Sequence, residues 1–399
     1  MKILLVNKYW YARGGTERVV FLTKRVLEDA GHTVEVFGMK QETNTLENEY
    51  FIDTIDYATG SWMARVMYGI KSIYNVDAKK RFAKLVDDFA PDVIHFHNIY
   101  HQLSYALLDV VRAKNIPSVM TLHDYKMLSP NYTLFHHNTI DTSMLGGKYY
   151  RCFLHNAMGS WTRSFFAMCE AYFRSWKKWS TVVDWYIAPS ACMKTLCKKS
   201  GIPMGNIQVV QNPIEEDTVS LPGNTVVYVG RLAKEKGILT LLGAAKQTPD
   251  ISYKIVGDGP EKSLLEQYCI THHIKNVEFC GWLEGETLDQ TITAAKFVVV
   301  PSEWYENCPY SVLEVMAKGK VVIASAIGGM PELLPKACLF EPGDVDGLAQ
   351  IIQQWYTAPL SLLVHNGAVL QNKVRSEMSV AVYSKKLQEI YTTITTRTV

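Results

Sequence analysis

Two glutamates, Glu306 and Glu314, are separated by seven residues inside the run Pro-Ser-Glu-Trp-Tyr-Glu-Asn-Cys-Pro-Tyr-Ser-Val-Leu-Glu-Val-Met-Ala, residues 301 to 317. The apolar stretch Phe297–Val300 before them reads as a buried parallel strand, and Ser311–Lys318 reads as a helix. Glu306 then lies in the loop at a strand's carboxyl end, where open α/β sheets bind ligands. Glu314 lies on the helix behind, within reach of a second part of the same ligand. Upstream, Gly230-Arg231-Leu232 with Lys236-Gly237 closes another expected strand, Thr225–Val229. Two fixed cations there, one a guanidinium able to grip two oxygens, can take up the charge of a departing diphosphate without a metal.

Weaker signals point to the same kind of ligand. Gly14-Gly15-Thr16-Glu17-Arg18 follows the first expected strand, Lys2–Val6, and opens a helix over Thr16–Ala30. Glycines there admit a ligand close to the backbone, and a helix N-terminus offers unpaired amides to an anion. The pair is not the G-x-G-x-x-G of dinucleotide binders. Gly257, in Val256-Gly257-Asp258-Gly259-Pro260, and Gly281, in Phe279-Cys280-Gly281-Trp282-Leu283, mark two further strand ends, where packing alone can require glycine. His123-Asp124 ends an expected strand over Ser118–Leu122. A lone histidine is more often structural, and His95 and His97 fit that role.

The elements that must position these residues alternate along the whole chain. Thr33–Phe37, Val93–Phe96, Val182–Ala188 and Ile207–Val210 read as further strands of the first half, with a helix over Ala78–Phe89. Asn212-Pro213 and the polar stretch to Asn224 form the best boundary. A second alternating unit follows, with strands at Thr225–Val229, Ser252–Val256, Val277–Phe279, Phe297–Val300 and Val321–Ala324. The tail, Val380–Thr396, reads as a closing helix. The expected organisation is an α/β protein of two doubly wound Rossmann-like domains facing a cleft. Residues 1–212 form one domain, 213–379 the second, and 380–399 the closing segment.

The stretch from Gly230 to Pro331 resembles the signature of glycosyltransferase family 4, and the likeness extends over nearly the whole chain. The resemblance implies a GT-B fold in which the last helix returns to the first domain, and a retaining reaction with a nucleotide-diphosphate sugar as donor and no cofactor. It implies that Glu306 meets the donor sugar and Glu314 the nucleotide ribose, with Asn307, Cys308, Pro309 and Tyr310 in the loop between. Arg231 and Lys236 match the family's diphosphate cations. Gly14 and Gly15 match its first-domain glycine loop, and Gly230, Gly257, Gly281 and Trp282 its donor-side strand ends. His123 matches a His-Asp position near the transferred sugar. The segment from Leu122 to Lys148 looks like members that build bacterial surface polysaccharide. Gly328-Gly329-Met330-Pro331-Glu332 matches a family loop without a role that the sequence assigns.

The chain has 399 residues, 48% apolar and 20% charged, with eight cysteines in no CxxC or zinc spacing. These values describe a globular protein with reduced thiols and no metal site, expected in the cytoplasm. Residues 1–212 carry 25 Lys/Arg against 18 Asp/Glu, and the remainder 16 against 21. A basic first half suggests an anionic partner; basic runs and nucleic-acid modules are missing, so nucleic acid is not expected. Residues 149–186 hold twelve aromatics, four of them tryptophan (Trp161, Trp176, Trp179, Trp185), beside Arg151, Arg163, Arg174, Lys177 and Lys178. That mixture suits a helix lying in a membrane interface, and 62–81 has a milder version. The expected partners are a nucleotide sugar, a lipid-linked saccharide acceptor and an anionic membrane surface, with the protein peripheral to the inner face. A nucleotide-sugar epimerase of the same fold and a membrane-bound partner protein with a vestigial donor site are the competing readings. A dehydrogenase is disfavoured by the missing glycine fingerprint.

Overall fold

The computed structural model of the chain describes residues 1–46, 48–55, 61–215 and 218–396, without the side chains of residues 62, 64 and 65. The Trp62 and Arg65 side chains of the second aromatic stretch therefore lie outside the described residues. The elements of the first half are β1 (Lys2–Val6), α1 (Gly15–Asp29), β2 (Thr33–Phe37), α2 (Trp62–Ile73), α3 (Val76–Phe89), β3 (Val93–Phe96), α4 (Leu107–Lys114) and β4 (Ser118–Thr121). They are followed by β5 (Phe135–His136), β6 (Thr139–Ile140), α5 (Tyr150–Leu154), α6 (Trp161–Trp176), β7 (Trp185–Ala188), α7 (Ala191–Lys199) and β8 (Asn206–Val209). Next come β9 (Thr225–Val229), α8 (Ile238–Gln247), β10 (Ser252–Val256), α9 (Lys262–Thr271), β11 (Val277–Gly281), α10 (Gly285–Thr293), β12 (Ala295–Val300) and α11 (Tyr310–Ala317). The last are β13 (Val322–Ser325), α12 (Met330–Leu333), β14 (Leu339–Phe340), α13 (Val345–Thr357), α14 (Leu360–Glu377) and α15 (Val380–Thr396).

The chain forms two units, one of Met1–Leu134, Asp141–Gln211 and Tyr383–Val399, the other of Phe135–Ile140 and Asn212–Val382. The first carries a parallel sheet of order β2-β1-β3-β4-β7-β8. Its inner strands β1, β3, β4 and β7 are buried along nearly their whole length, as expected where helices cover both faces of a parallel sheet. Leu5 sits opposite Val36 on one side and His95 on the other. Helix α3 starts where the Asn75 side chain accepts from the Ala78 amide at 3.1 Å, and stops at Ala90 in the left-handed region. Helix α15 closes the core: Tyr383, Leu387, Ile390, Tyr391 and Ile394 pack in one cluster with Ile3, Leu5 and Val93. Each such side chain contributes ~1.5–3 kcal/mol on burial.

Residues 149–186 divide between inside and outside. Trp179 and Tyr186 are fully buried, Glu170 and Arg174 turn inward, and Trp161, Phe165, Tyr172 and Trp176 remain exposed. Trp179 donates to Asp109 at 2.7 Å and stacks on Tyr74. The stretch read as strand from Val182 is a strand only from Trp185; a 3-10 turn, Trp179–Thr181, precedes it and buries Trp179 and Ser180. Helix α2 lies flush on α6 at Gly69, where an added Cβ would fall 2.5 Å from the Phe166 ring. Among the described residues no helix is long and apolar enough to cross a membrane.

The second unit has a parallel sheet of order β11-β10-β9-β12-β13-β14. The segment after Gln211 is tied to it: Asn212 Nδ2 donates to the Cys308 carbonyl and Tyr310 Oη to that of Pro213, both at 2.7 Å. The paired strands β5–β6 and the edge strand β14 were outside the sequence expectation, because two residues leave no readable period.

Candidate active site

Lys236 and Glu306 meet at the carboxyl ends of β9 and β12. Lys236 Nζ lies 2.5 Å from Glu306 Oε1, and Ser302 Oγ and Trp304 Nε1 each donate to the same oxygen at 2.8 Å. Burial alone would push this carboxyl up; the Lys236 ammonium and the two other donors, Trp304 and Ser302, outweigh it and hold Glu306 below the usual range. The lysine also lies 4.9 Å from the centre of the Trp304 ring, a cation–π contact that fixes its approach. Arg231 is held differently. Its guanidinium donates to Glu235 on the same loop, and its side chain is 63% exposed.

Backbone contacts explain why the two loops keep this geometry. Gly237 sits at φ 64°, and a Cβ there would fall 1.9 Å from the Pro301 carbonyl oxygen. The Glu303 amide donates to Glu235 O at 2.9 Å, and Thr240 Oγ1 to Glu303 at 2.8 Å. The loop left without a role by the sequence turns out to brace Glu306. Gly329 N donates to Glu306 O at 2.7 Å, and a Cβ at Gly328, at φ 62°, would fall 2.1 Å from that oxygen. Ser302 and Trp304 are site residues that the sequence reading quoted but did not single out. Their donor roles depend on how the loop turns, which the order of residues does not specify.

Helix α11 follows directly. Between residues 310 and 320 every residue is buried except Ser311 and Glu314, which share one helix face. Glu314 is therefore the acid that this buried helix leaves accessible. Cys308 is buried with its carbonyl engaged by Asn212, and Asn307 and Pro309 are half-buried in the loop before the helix. Gly230 and Gly257 have packing reasons of their own, and Gly281 a conformational one. A Cβ on Gly257 would fall 1.9 Å from Gly230 O, the Gly257 amide donates to Gly281 O at 2.7 Å, and Gly281 takes φ 69°. Trp282, next to it, is 66% exposed.

The first unit gathers a separate polar cluster at the carboxyl ends of β1, β3 and β4. His95, His97 and His123 stack, with ring centres 4.4 and 5.2 Å apart. His95 bonds Tyr391 Oη at 2.7 Å and Thr121 Oγ1 at 2.8 Å; His97 Nδ1 lies 2.9 Å from His123 Nε2. Burial pushes His95 and His123 down to about 3 and His97 well below its usual value, so all three are neutral. Asp124 accepts from Tyr100 Oη and from the Lys126 amide, and burial raises its pKa. Lys8, lowered to about 8 by burial, lies 3.7 Å over the Tyr100 ring. Lys8 and Tyr100 were not singled out from sequence, since their neighbours are remote in the chain. Gly14 is extended at φ −173°, which any residue adopts, and a Cβ there would make only ordinary contact. Gly15 begins α1.

A family model described as Glycosyltransferase Family 4 matches residues 13–218, and one described as Glycosyl transferases group 1 matches residues 213–365. An uncharacterized 42.6 kDa protein in the cps region of Klebsiella pneumoniae is 22% identical over 372 residues, 87% of this chain and 92% of its own. Among solved structures, Anabaena HepE in complex with UDP and glucose aligns with TM-score 0.64 at 18% identity over 98% of both chains. The apo lipopolysaccharide outer core galactosyltransferase WaaB aligns with TM-score 0.65 at 17% identity over 98% of this chain and 99% of its own. The two family matches make the chain a glycosyltransferase, and its two Rossmann-like parallel sheets with these structural likenesses give it the GT-B fold. It belongs to Glycosyltransferase Family 4.

Proposed function

We propose that this glycosyltransferase is retaining and metal-independent, and that it moves a sugar from a nucleoside-diphosphate sugar to a lipid-linked saccharide of a bacterial surface polysaccharide. The observation that carries this is the ionised, braced Glu306 with Lys236 on one oxygen, in the unit that also presents the exposed Arg231 and the accessible Glu314. Lys236 and Arg231 take up charge on the departing diphosphate, Glu306 orients the sugar hydroxyls, and Glu314 meets the ribose. Asn307, Cys308, Pro309 and Tyr310 carry the chain between the two acids, and Trp282 with Gly281 borders the nucleobase. The sugar–phosphate bond breaks as the acceptor oxygen bonds to the same face of the anomeric carbon. The acceptor proton passes to the departing phosphate oxygen. His123 acts on the transferred sugar as a neutral group, and Gly14 and Gly15 serve the phosphates by close backbone approach. UDP in the HepE complex and the polysaccharide named for WaaB support the donor and acceptor classes.

A panel of nucleotide sugars should give one donor that is hydrolysed or transferred, with the product keeping the donor's anomeric configuration by NMR. Inverted product, or nucleotide sugar converted only to its epimer, would rule the proposal out.

The membrane partner is supported by the outward faces of two packed helices. Trp161, Phe165 and Trp176 of α6 stand exposed with Met63, Met67 and Ile70 of α2, and Lys71, Arg163 and Lys178 are exposed nearby. Aromatic anchors with basic neighbours bind the interface of anionic bilayers, at about 1 kcal/mol per basic residue. Trp179 has no part in this, being core. Replacing Trp161, Phe165 and Trp176 together by serine is expected to reduce sedimentation with anionic liposomes by roughly tenfold or more. Donor hydrolysis should persist. Equal sedimentation by the variant would remove the membrane from the proposal.

A further inference from the structure

We propose that His97 is a positioning residue: it donates from Nδ1 to His123 Nε2 and so locks His123 in the form whose Nδ1 carries the proton. This rests on the reading that His123 serves the transferred sugar.

The argument begins with the 2.9 Å separation between His97 Nδ1 and His123 Nε2. A neutral imidazole has one N–H and one bare nitrogen, so one ring must donate and the other accept. If His123 donated, the proton of His97 would sit on its Nε2. That atom is buried and has no hydrogen-bond partner among the described residues. A buried N–H without an acceptor is rare and costly, and an unfilled lone pair is tolerated better. A doubly protonated His97 would strand the same N–H and add a charge between two stacked imidazoles, 4.4 and 5.2 Å away. The arrangement without a stranded proton has His97 donating. His95 does not compete for that choice, because both its nitrogens meet hydroxyls, of Tyr391 and Thr121, which can donate or accept.

The consequence for His123 is specific. Its Nε2 is occupied as an acceptor, and its remaining nitrogen presents an N–H. His123 therefore meets a sugar hydroxyl as a hydrogen-bond donor and offers no lone pair to take the acceptor's proton. That agrees with the proton passing to the departing phosphate.

The test is the nitrogen spectrum of the full chain labelled with 15N-histidine near neutral pH. The chain has 11 histidines, so His123 is assigned by the cross-peaks that vanish in His123→Gln. Wild type should show His123 protonated at Nδ1 and bare at Nε2. The opposite pattern would overturn the proposal outright. His97→Leu removes the donor: the His123 signature should shift toward protonated Nε2, and kcat should fall roughly 10–100-fold with nucleoside-diphosphate affinity unchanged. His97→Asn puts an amide donor where Nδ1 stood and should restore the signature and most of the lost rate. A leucine variant with wild-type signature and rate would overturn the positioning role, as would an asparagine variant that restores neither. Full transfer by His123→Ala would instead defeat the role given to His123 while the tautomer assignment stands.

Discussion

Glu306→Ala is expected to lower the rate of sugar transfer on the order of 10³-fold, with nucleoside-diphosphate binding retained. The carboxylate is prepared for a role that tightens only as the sugar–phosphate bond breaks. Three donors converge on one oxygen, burial excludes competing water, and the paired lysine keeps the group ionised. Losing an interaction made mainly in the transition state falls on kcat and spares binding. The lysine gives the prediction a second edge. Without Glu306, Lys236 keeps its Trp304 contact but loses its carboxylate partner, so its ammonium is freer for the diphosphate and affinity should hold or rise. Calorimetric titration with the nucleoside diphosphate and single-turnover transfer measure the two parts. Wild-type turnover, or affinity lost together with rate, would contradict the role given to Glu306.

Glu170→Gln should destabilise the first unit by ~3–5 kcal/mol, the cost of leaving a buried cation without its partner. Lys126 Nζ and Glu170 Oε2 are 2.5 Å apart, and both side chains are 1% exposed. Arg174, one helical turn along α6, is also buried and donates to Lys126 O at 2.8 Å, so the acid offsets two cations. Thermal unfolding should shift down by roughly 6–20 °C for a unit of this size. The double variant Lys126→Met with Glu170→Leu should recover most of the loss, because both charges leave together. A single variant within ~1 kcal/mol of wild type would mean that the pair is not what holds the loop after Asp124 to α6.

The legible part of the molecule was what repeats. Strand runs such as Ile3–Val6 and Phe297–Val300 are apolar because both faces are covered, and helices such as α3 carry their own stops, so alternation could be read without coordinates. Glu306 and Glu314 were readable because strand, loop and helix are contiguous there. What escaped depends on neighbours distant in the chain. Gly328 braces Glu306 across a loop, and Lys8 lies over Tyr100 although 92 positions separate them. The aromatic stretch was readable as unusual but not as divided, since Trp176 and Trp179 differ only in which way the chain turns between them. That turn, through Lys178 in the left-handed region at φ 51°, buries one tryptophan and leaves the other in solvent.

Helix α15 also bears on the order in which the chain can assemble during synthesis. Tyr383, Leu387 and Tyr391 fill the core around β1, yet they are made after every residue of the second unit. A growing chain normally completes its N-terminal unit first. Here the ribosome delivers all of 212–382 before the residues that bond Thr23 and His95 exist. The first sheet must wait, with part of its apolar surface uncovered, until the last helix is released. The second unit, though later in sequence, is the first whose parts are all present.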